Sequence, residues 1–145
     1  MPEKSINEAA KELAISKSSL RYYEKVKLIQ PSRTEGGYRS YSDWDLLLIK
    51  YILVLKYGEF SLEDIQTVLS FIQNEGTEDC LSKTETLIQI KTQEFQQKVN
   101  YYQQMLAIFE GMPNLAKADS ETEKELDHYV EHLFEDLKGN GGLNR

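Results

Sequence analysis

Large side chains recur at every seventh position through the second half of this 145-residue chain. One row consists of Leu81, Ile88, Phe95, Tyr102 and Phe109, and a second row, four places on, consists of Thr92, Val99 and Leu106. This spacing is typical of the a/d seam of a coiled-coil helix. The seam runs over 29 residues, which corresponds to roughly 43 Å at the helical rise per residue. Because the preceding segment is too small to cover that length, we predict that the helix pairs with a second copy of the chain.

Pairing of two such helices defines the predicted dimer interface. Phenylalanine and tyrosine in the seam favour an irregular antiparallel contact over a parallel zipper. In that arrangement the Phe109 end of one copy lies near the N-terminal domain of the other. A helix packed on its own domain is the alternative interpretation of the same pattern. The predicted interface residues are Leu81, Ile88, Phe95, Val99, Tyr102, Leu106 and Phe109.

Charge and cysteine content limit the class of protein. The formal net charge is −7, but residues 1–70 contain ten Lys/Arg and ten Asp/Glu, so the acidic excess lies in residues 71–145. Residues 17–56 contain eight basic and four acidic side chains. Attraction to phosphate acts within a Debye length of about 10 Å, so this local excess is compatible with DNA binding. The single cysteine excludes an internal disulfide and fits a reducing cytoplasm, and no stretch approaches the ~20 apolar residues of a membrane span.

The N-terminal half reads as two helical pairs separated by a hairpin. Ser5 opens a Ser-x-x-Glu capping box, and Ser16 is the N-cap candidate of a second short helix. Two short helices joined by a tight turn are the size of a helix-turn-helix unit. The pair Gly36-Gly37 predicts a two-residue turn in a small hairpin, or wing, over residues 31–41.

The segment after the hairpin repeats this plan with a different sequence. Ser42 and Ser61 cap two further helices, each with a buried apolar stripe. Ser120 caps a final amphipathic helix, which Gly139 ends. The predicted domains are a winged helix-turn-helix domain over 1–73, a linker over 74–80, a coiled-coil helix over 81–111, and a short C-terminal region over 112–145 with a helix over 120–138 and a disordered tail.

The second helix divides its side chains between two faces. At 100° per residue, Ser19, Leu20 and Tyr23 lie on one side, and the opposite arc of about 140° carries cations, hydroxyls and a phenol. A helix that enters the major groove needs this division into an apolar back and a polar front. The helix N-terminus can also offer free amides to a phosphate. The predicted DNA-contacting residues of this helix are Ser16, Lys17, Ser18, Arg21, Tyr22 and Lys25.

The wing adds cations and phenols to the same candidate surface. Arginines on a hairpin can reach phosphates or a minor groove, and tyrosine hydroxyls can bond to phosphates. An ordinary solvated helix face and loop is the alternative interpretation. The wing residues predicted to contact DNA are Arg33, Tyr38, Arg39 and Tyr41.

Four motifs in this region, LRYYE, LIQP, GYRSY and FSLEDI, resemble the N-terminal domain of the MerR family of bacterial transcription regulators. The resemblance covers residues 4–73 closely and residues 81–110 in architecture. It implies a mainly α fold, in which a winged helix-turn-helix DNA-binding domain precedes a long antiparallel coiled-coil dimerisation helix and a short C-terminal helix. It also implies a homodimer that binds an inverted repeat in a promoter and distorts the DNA so that RNA polymerase engages. The implied DNA contacts are Arg21, Tyr22, Tyr23, Arg33, Tyr38, Arg39 and Tyr41.

The chain departs from the family pattern at several positions. Ala14, Lys27 and Glu59 stand where the family has glycine, and Ser18 replaces a common Arg or Lys. Ala14 must therefore avoid a positive φ or accept strain. Tyr23 carries two expectations, because its helical position favours packing whereas the family pattern implies contact with DNA.

Three features are candidates for sensing a signal. Cys80 precedes the dimer helix, where metal-responding members of the family have a ligand cysteine, but one thiolate makes no selective metal site. A thiol at a helix N-terminus could still react with an oxidant or electrophile. His128 and His132 have the i, i+4 spacing of a metal pair but lie on a polar face among acidic side chains. The aromatic residues that could line a pocket for a small organic effector are Tyr101, Tyr102, Phe109, Tyr129 and Phe134.

The combined prediction is a cytoplasmic, homodimeric, DNA-binding transcription regulator without metal, cofactor or catalytic residues. No Ser/His/Asp set, phosphate-binding loop or paired-acid site is visible, which argues against an enzyme. The rival prediction is a coiled-coil adaptor that uses its helix-turn-helix as a protein-docking surface. Salt separates the two, because DNA binding weakens steeply as the salt concentration rises.

Overall fold

Side-chain caps begin the helices of the N-terminal domain. Ser5, Ser42 and Ser61 each accept a hydrogen bond from the backbone N–H three residues on, and the carboxylate at that position accepts one from the serine N–H. Ser16 accepts from the N–H of Ser19. These bonds satisfy amide donors that the first turn of a helix leaves unpaired. The four predicted helix starts are confirmed.

The structure is a computed structural model that describes residues 3–74, 77–116 and 119–142. The chain divides into two compact units, Met1–Gln93 and Glu94–Arg145. The elements in chain order are β1 (Lys4–Ser5), α1 (Ile6–Leu13), α2 (Lys17–Lys25), β2 (Ser32–Arg33), β3 (Arg39–Tyr41), α3 (Asp43–Tyr57), α4 (Leu62–Gln73), α5 (Glu78–Glu110) and α6 (Ser120–Gly139). The predicted mainly α fold is confirmed, with a small sheet as the wing.

The wing is a three-stranded antiparallel sheet in the order β1-β3-β2. Strand β1, which the sequence pattern does not reveal, pairs with β3 and ties the N-terminus to the hairpin. At the tip, the N–H of Gly37 donates to the carbonyl of Thr34 at 2.9 Å, so Glu35 and Gly36 occupy the centre of the turn. Gly37 follows with a φ of 81°. The predicted two-residue Gly36-Gly37 turn is therefore displaced by one residue, and Gly37 supplies the left-handed conformation that ends it.

The core of the first unit lies between the two helical pairs and the inner face of the sheet. Fully buried side chains come from α2, the α2–β2 connection, β3 and α3. Each contributes about 1.5–3 kcal/mol through removal of apolar surface from water. The largest are Leu20, Ile29, Tyr41, Ile49 and Ile52. This core holds α2 by its apolar back and leaves its opposite side to solvent.

Three non-glycine residues in the described part of the chain adopt left-handed backbone conformations. Ala14, Lys27 and Glu59 have φ values of 53°, 62° and 60°, and they are the three positions where the family pattern has glycine. Ala14 follows α1, and its N–H bonds to the carbonyls of Ala10 and Lys11. The turn of the first helical pair therefore accepts strain. Such a conformation costs an L-residue roughly 1–2 kcal/mol.

Replacing Ala14 with glycine is expected to stabilise the first unit. Relief of the left-handed strain exceeds the extra chain entropy of glycine, so the free energy of unfolding should rise by about 0.5–1 kcal/mol. Urea denaturation monitored by circular dichroism measures the change. The matched control is Ala10→Gly in the helical interior of α1, which should lower stability. Equal losses for both variants would contradict the strain at Ala14.

One predicted helix start in the C-terminal half is wrong by three residues; the last helix begins at Ser120 as predicted, but its predicted N-cap is wrong by one residue. Helix α5 begins at Glu78, inside the segment predicted as a linker, because Thr77 accepts a hydrogen bond from the N–H of Cys80 at 3.4 Å and begins the helix early. Asp119, and not Ser120, is the N-cap of α6, since its carboxylate accepts from the N–H of Thr122.

The predicted disordered tail is also partly wrong. Gly141 and Gly142 donate to the carbonyls of Lys138 and Leu137 and close the C-terminal end of α6. The last three residues of that tail lie outside the described residues. Across the described ranges, no helix has both the length and the apolar character needed to cross a membrane.

Candidate nucleic-acid interface

The polar front of α2 is a continuous exposed surface. All six predicted DNA-contacting residues of this helix are exposed, whereas Leu20 and Tyr23 on its back are 0% and 2% exposed. Tyr22 is 48% exposed, and its ring lies 6.1 Å from that of Tyr23 in a tilted arrangement. The exposed side chains are Ser16, Lys17, Ser18, Arg21, Tyr22 and Lys25. The helix thus presents two flexible cations, an arginine fork, hydroxyls and a phenol together.

Tyr23 packs in the core, as its position on the helix predicts. Its ring belongs to the core, and its hydroxyl accepts a hydrogen bond from Lys56 Nζ at 3.4 Å. The same ammonium lies 5.5 Å from the centre of the ring. At 2% exposure the side chain has no surface to offer to DNA. The DNA contact that the family motif implied for Tyr23 is therefore wrong. The side chain instead anchors the apolar back of α2 on α3.

Tyr41 is also a core residue, which corrects its prediction as a DNA contact. Its side chain is 0% exposed in β3, because β3 is the central strand and its inner face packs on α3. Burial is the first cause of a raised pKa of the phenol. Within the described part of the chain, the hydroxyl oxygen has no hydrogen-bond partner. The residue contributes to packing, and not to recognition.

Replacing Tyr41 with phenylalanine is expected to preserve affinity for the predicted inverted-repeat DNA site (the operator) and to raise the stability of the fold slightly. The variant removes a buried hydroxyl without a protein partner, so the free energy of unfolding should increase by up to about 1 kcal/mol. Thermal unfolding and a mobility shift measure the two quantities. Tyr38→Phe, at a side chain that is 77% exposed, is the control for loss of a hydroxyl from the wing surface. A loss of operator affinity by Tyr41→Phe at unchanged stability would return the residue to the interface.

The two wing arginines share one carboxylate of α2. Arg33 Nη2 donates to Glu24 Oε1 at 2.7 Å, and Arg39 Nε donates to Glu24 Oε2. The side chain of Arg33 remains 46% exposed and that of Arg39 28% exposed. The guanidinium groups therefore remain at the surface beside α2 but are held by an acid. Contact between these arginines and DNA stays a prediction.

A lysine of α5 contacts the turn between α3 and α4. Glu59 has its left-handed φ here, and its carbonyl accepts a hydrogen bond from Lys91 Nζ at 2.8 Å. The same ammonium lies 5.4 Å from the centre of the Phe60 ring. Gly58, by contrast, has a φ of −76° and needs no glycine conformation. Sequence reasoning missed Lys91, which a helical pattern cannot connect to a turn 32 residues away.

The apolar rows of α5 are exposed on the single chain. Phe95 and Val99 are 40% and 47% exposed, and Tyr102, Leu106 and Phe109 are 59–63% exposed. Large apolar side chains in a continuous row at this exposure are typical of a surface that another chain covers. The dimer interface remains a prediction.

The candidate sensing residues do not form a metal cluster. Cys80 is a partly buried free thiol at the start of α5. His128 and His132 are exposed, and His132 Nδ1 lies 3.3 Å from an Asp136 carboxylate oxygen. Among the residues that the structure describes, no three His, Cys, Asp or Glu side chains are grouped to hold a metal ion.

Of the five aromatic residues that could line an effector pocket, Tyr129 is the one that lines an open cavity of the second unit, and an aromatic pocket stays a prediction. Tyr129 donates a hydrogen bond to the carbonyl of Ile108 at 2.7 Å, while Tyr102, Phe109 and Phe134 remain exposed. An open cavity of about 440 Å³ in the second unit has a mixed lining of acids, imidazoles and apolar groups. It is lined by Pro113, Glu125, His128, Tyr129, His132, Leu133 and Asp136.

Comparison with known proteins adds an independent finding. The family model of MerR HTH family regulatory proteins matches residues 4–72. The HTH-type transcriptional regulator ZntR of Escherichia coli K12 is 33% identical over 101 residues, which cover 69% of this chain and 71% of that protein. The HTH-type transcriptional regulator CueR of Yersinia pestis is 29% identical over 120 residues, which cover 79% and 85% of the two chains.

Solved structures share the fold. The crystal structure of HiNmlR, described as a MerR family regulator lacking the sensor domain and bound to promoter DNA, has a TM-score of 0.60 and 25% identity, and the match covers 76% of this chain and 83% of that chain. A MerR-family transcriptional regulator from Bacillus cereus has a TM-score of 0.59 at 23% identity, over 92% and 98% of the two chains. These relatives are described as transcription regulators and not as enzymes.

Proposed function

Because this chain belongs to the MerR family of helix-turn-helix regulatory proteins and is a DNA-binding transcription regulator, we propose that it binds an inverted repeat in promoter DNA as a homodimer. The exposed front of α2, with Lys17, Arg21 and Tyr22 on one side, is the observation that carries this proposal. HiNmlR is a relative whose structure contains promoter DNA, which supports the choice of nucleic acid as the partner.

Recognition divides between α2 and the wing. The Arg21 fork suits the two acceptors of a guanine edge in the major groove, and Tyr22 and Lys17 lie within reach of flanking base edges and phosphates. Arg33 and Tyr38 on the hairpin contact the backbone beside that groove. The exposed first turn of α2 at Ser16 directs amides toward a phosphate. This division predicts that α2 reads sequence and the wing sets position.

Dimerisation follows from the exposed rows of α5. One copy reads a single half-site, so two copies joined along α5 read an inverted repeat whose half-sites lie an integral number of helical turns apart. DNA between the half-sites is not contacted, and its deformation contributes to specificity. RNA polymerase then binds the promoter in this distorted form.

Selection from a pool of randomised duplex DNA tests the proposal. The full-length protein should enrich a palindrome, and its affinity for that duplex should fall with salt along a log–log slope of about −0.9 per phosphate neutralised. Sedimentation in the same buffer should give a dimer. An adaptor that docks on proteins would enrich no sequence, and any residual DNA binding would lack a palindrome.

A further inference from the structure

The wing hairpin is held from both of its faces by carboxylates of other elements. Two neighbouring pairs in the β2–β3 register carry the contacts, Ser32 with Ser40 and Arg33 with Arg39. Both serine hydroxyls donate to Glu3, which precedes β1, at 3.1 Å for Ser32. Adjacent pairs of a ladder point to opposite faces, so the two arginines face the other way.

Glu24 of α2 contacts the two arginines on that opposite face. One of its carboxylate oxygens accepts from Arg33 and the other from Arg39, so a single side chain bridges both strands of the hairpin. Two like charges directly opposite each other across a ladder repel, and the carboxylate between them removes this repulsion. The Glu24 side chain is 22% exposed, so solvent screens these charge-assisted bonds less than those of a fully exposed pair.

This contact links the two parts of the proposed DNA surface. Strands β2 and β3 contain two and three residues, and a hairpin of this size has little rigidity of its own. Pairing with β1 anchors the β3 edge, and on the two faces the side chains of Glu3 and Glu24 contribute to the angle between the hairpin and α2. Glu24 lies in the last turn of α2, three residues after Arg21, so the bridge attaches the wing directly to the helix that carries the reading face.

We propose that Glu24 is a positioning residue that sets the angle between the wing and α2 and so increases discrimination between operator and non-operator DNA. The inference rests on the proposed DNA-binding function. An acid beside DNA lowers affinity for phosphate in general, because Glu24 offsets one of the two positive charges of Arg33 and Arg39. The Glu24 carboxylate holds Arg33 and Arg39 in one geometry. Both arginines therefore contact the backbone only of a duplex that fits α2 and the wing at the same time.

Glu24→Gln tests the proposal, with Glu35→Gln at the hairpin tip as the matched control. Both variants remove one negative charge from the same surface. Each is measured against the selected palindrome and against a scrambled duplex of the same composition, over a series of salt concentrations. For Glu24→Gln we expect tighter binding to the scrambled duplex, a steeper salt slope, and a ratio of operator to scrambled affinity lower by about tenfold. For Glu35→Gln we expect that ratio to stay unchanged.

The outcomes separate the alternatives. An equal change of the ratio in both variants would overturn the proposal in favour of a charge effect alone. An unchanged ratio in Glu24→Gln would show that Glu24 does not position the wing for discrimination. If Glu24→Gln fails to fold, Glu24→Asp keeps the charge but shortens the side chain that bridges Arg33 and Arg39; we expect a lower ratio in that variant, and an unchanged ratio would overturn the proposal. Failure of the wild-type protein to enrich any duplex would instead reject the proposed function itself.

Discussion

Replacing Arg21 with alanine is expected to abolish operator binding while leaving the dimer intact. Arg21 is exposed on the front of α2, where its guanidinium group matches the paired acceptors of guanine. Each such contact contributes about 1–3 kcal/mol, and a dimer loses two of them, so affinity should fall roughly 30-fold to 20,000-fold. Titration of the selected palindrome in a mobility-shift assay measures the loss.

The control for this variant is Lys124→Ala, which removes an equal charge from the exposed surface of α6. Its operator affinity should stay within about twofold of the wild type, because it lies outside the proposed contact surface. Sedimentation velocity should show that both variants remain dimeric, since neither residue belongs to the α5 seam. Operator affinity retained by Arg21→Ala would reject the proposed reading face of α2.

Replacing Phe95 and Val99 together with aspartate is expected to produce monomers that bind the operator poorly. Phe95 is the midpoint of the 81–109 seam, so in an antiparallel pair it meets its own counterpart at the two-fold axis. Four carboxylates would then be buried together, and each costs several kcal/mol to desolvate, so self-association should weaken by at least about 1,000-fold. Sedimentation equilibrium measures the dissociation constant, and the mobility shift measures the loss of paired half-site binding.

The matched control places the same charges outside the seam. Gln97 and Gln104 lie two positions after Phe95 and Tyr102 on α5, and both are exposed. The double variant Gln97→Asp/Gln104→Asp adds the same number of carboxylates and should remain dimeric. A dimer that persists after substitution of Phe95 and Val99 would remove the seam as the interface.

Acidity of the whole chain is compatible with DNA binding because the charges are separated along it. The second half carries the excess acid, whereas α2 and the wing carry cations at the surface, and attraction to phosphate acts within about 10 Å. Glu24 is an acid inside this cationic surface, and its two arginine contacts distinguish it from an acid that only repels. A regulator must reject most of the DNA it meets, and general attraction to phosphate does not achieve this.

Local chemistry allowed the helices to be predicted from sequence. Ser5, Ser16, Ser42 and Ser61 begin helices because each hydroxyl lies within reach of amides three residues away. The 100° rotation per residue likewise placed Arg21 outward and Leu20 inward. Both rules depend on covalent geometry and close neighbours, so no knowledge of distant residues was needed.

Long-range contacts account for what the sequence did not reveal. Tyr41 belongs to a motif that suggests a surface phenol, yet its side chain lies on the face of the sheet that packs into the core with α3, which buries it. Tyr129 likewise has a partner distant in the chain, because its hydroxyl donates to the carbonyl of Ile108 while Tyr102, Phe109 and Phe134 remain exposed.

Amino-acid order by itself determined the family, the helical elements, the outward face of α2 and the heptad rows of α5, since each depends on spacing along one stretch of chain. Tertiary structure alone decided that Tyr41 is buried and which carboxylate joins the wing to the reading helix. Glu24 and Arg39 are fifteen residues apart, and no periodicity relates them. Their contact exists because the sheet and α2 pack on one core, and that packing is a property of the whole unit.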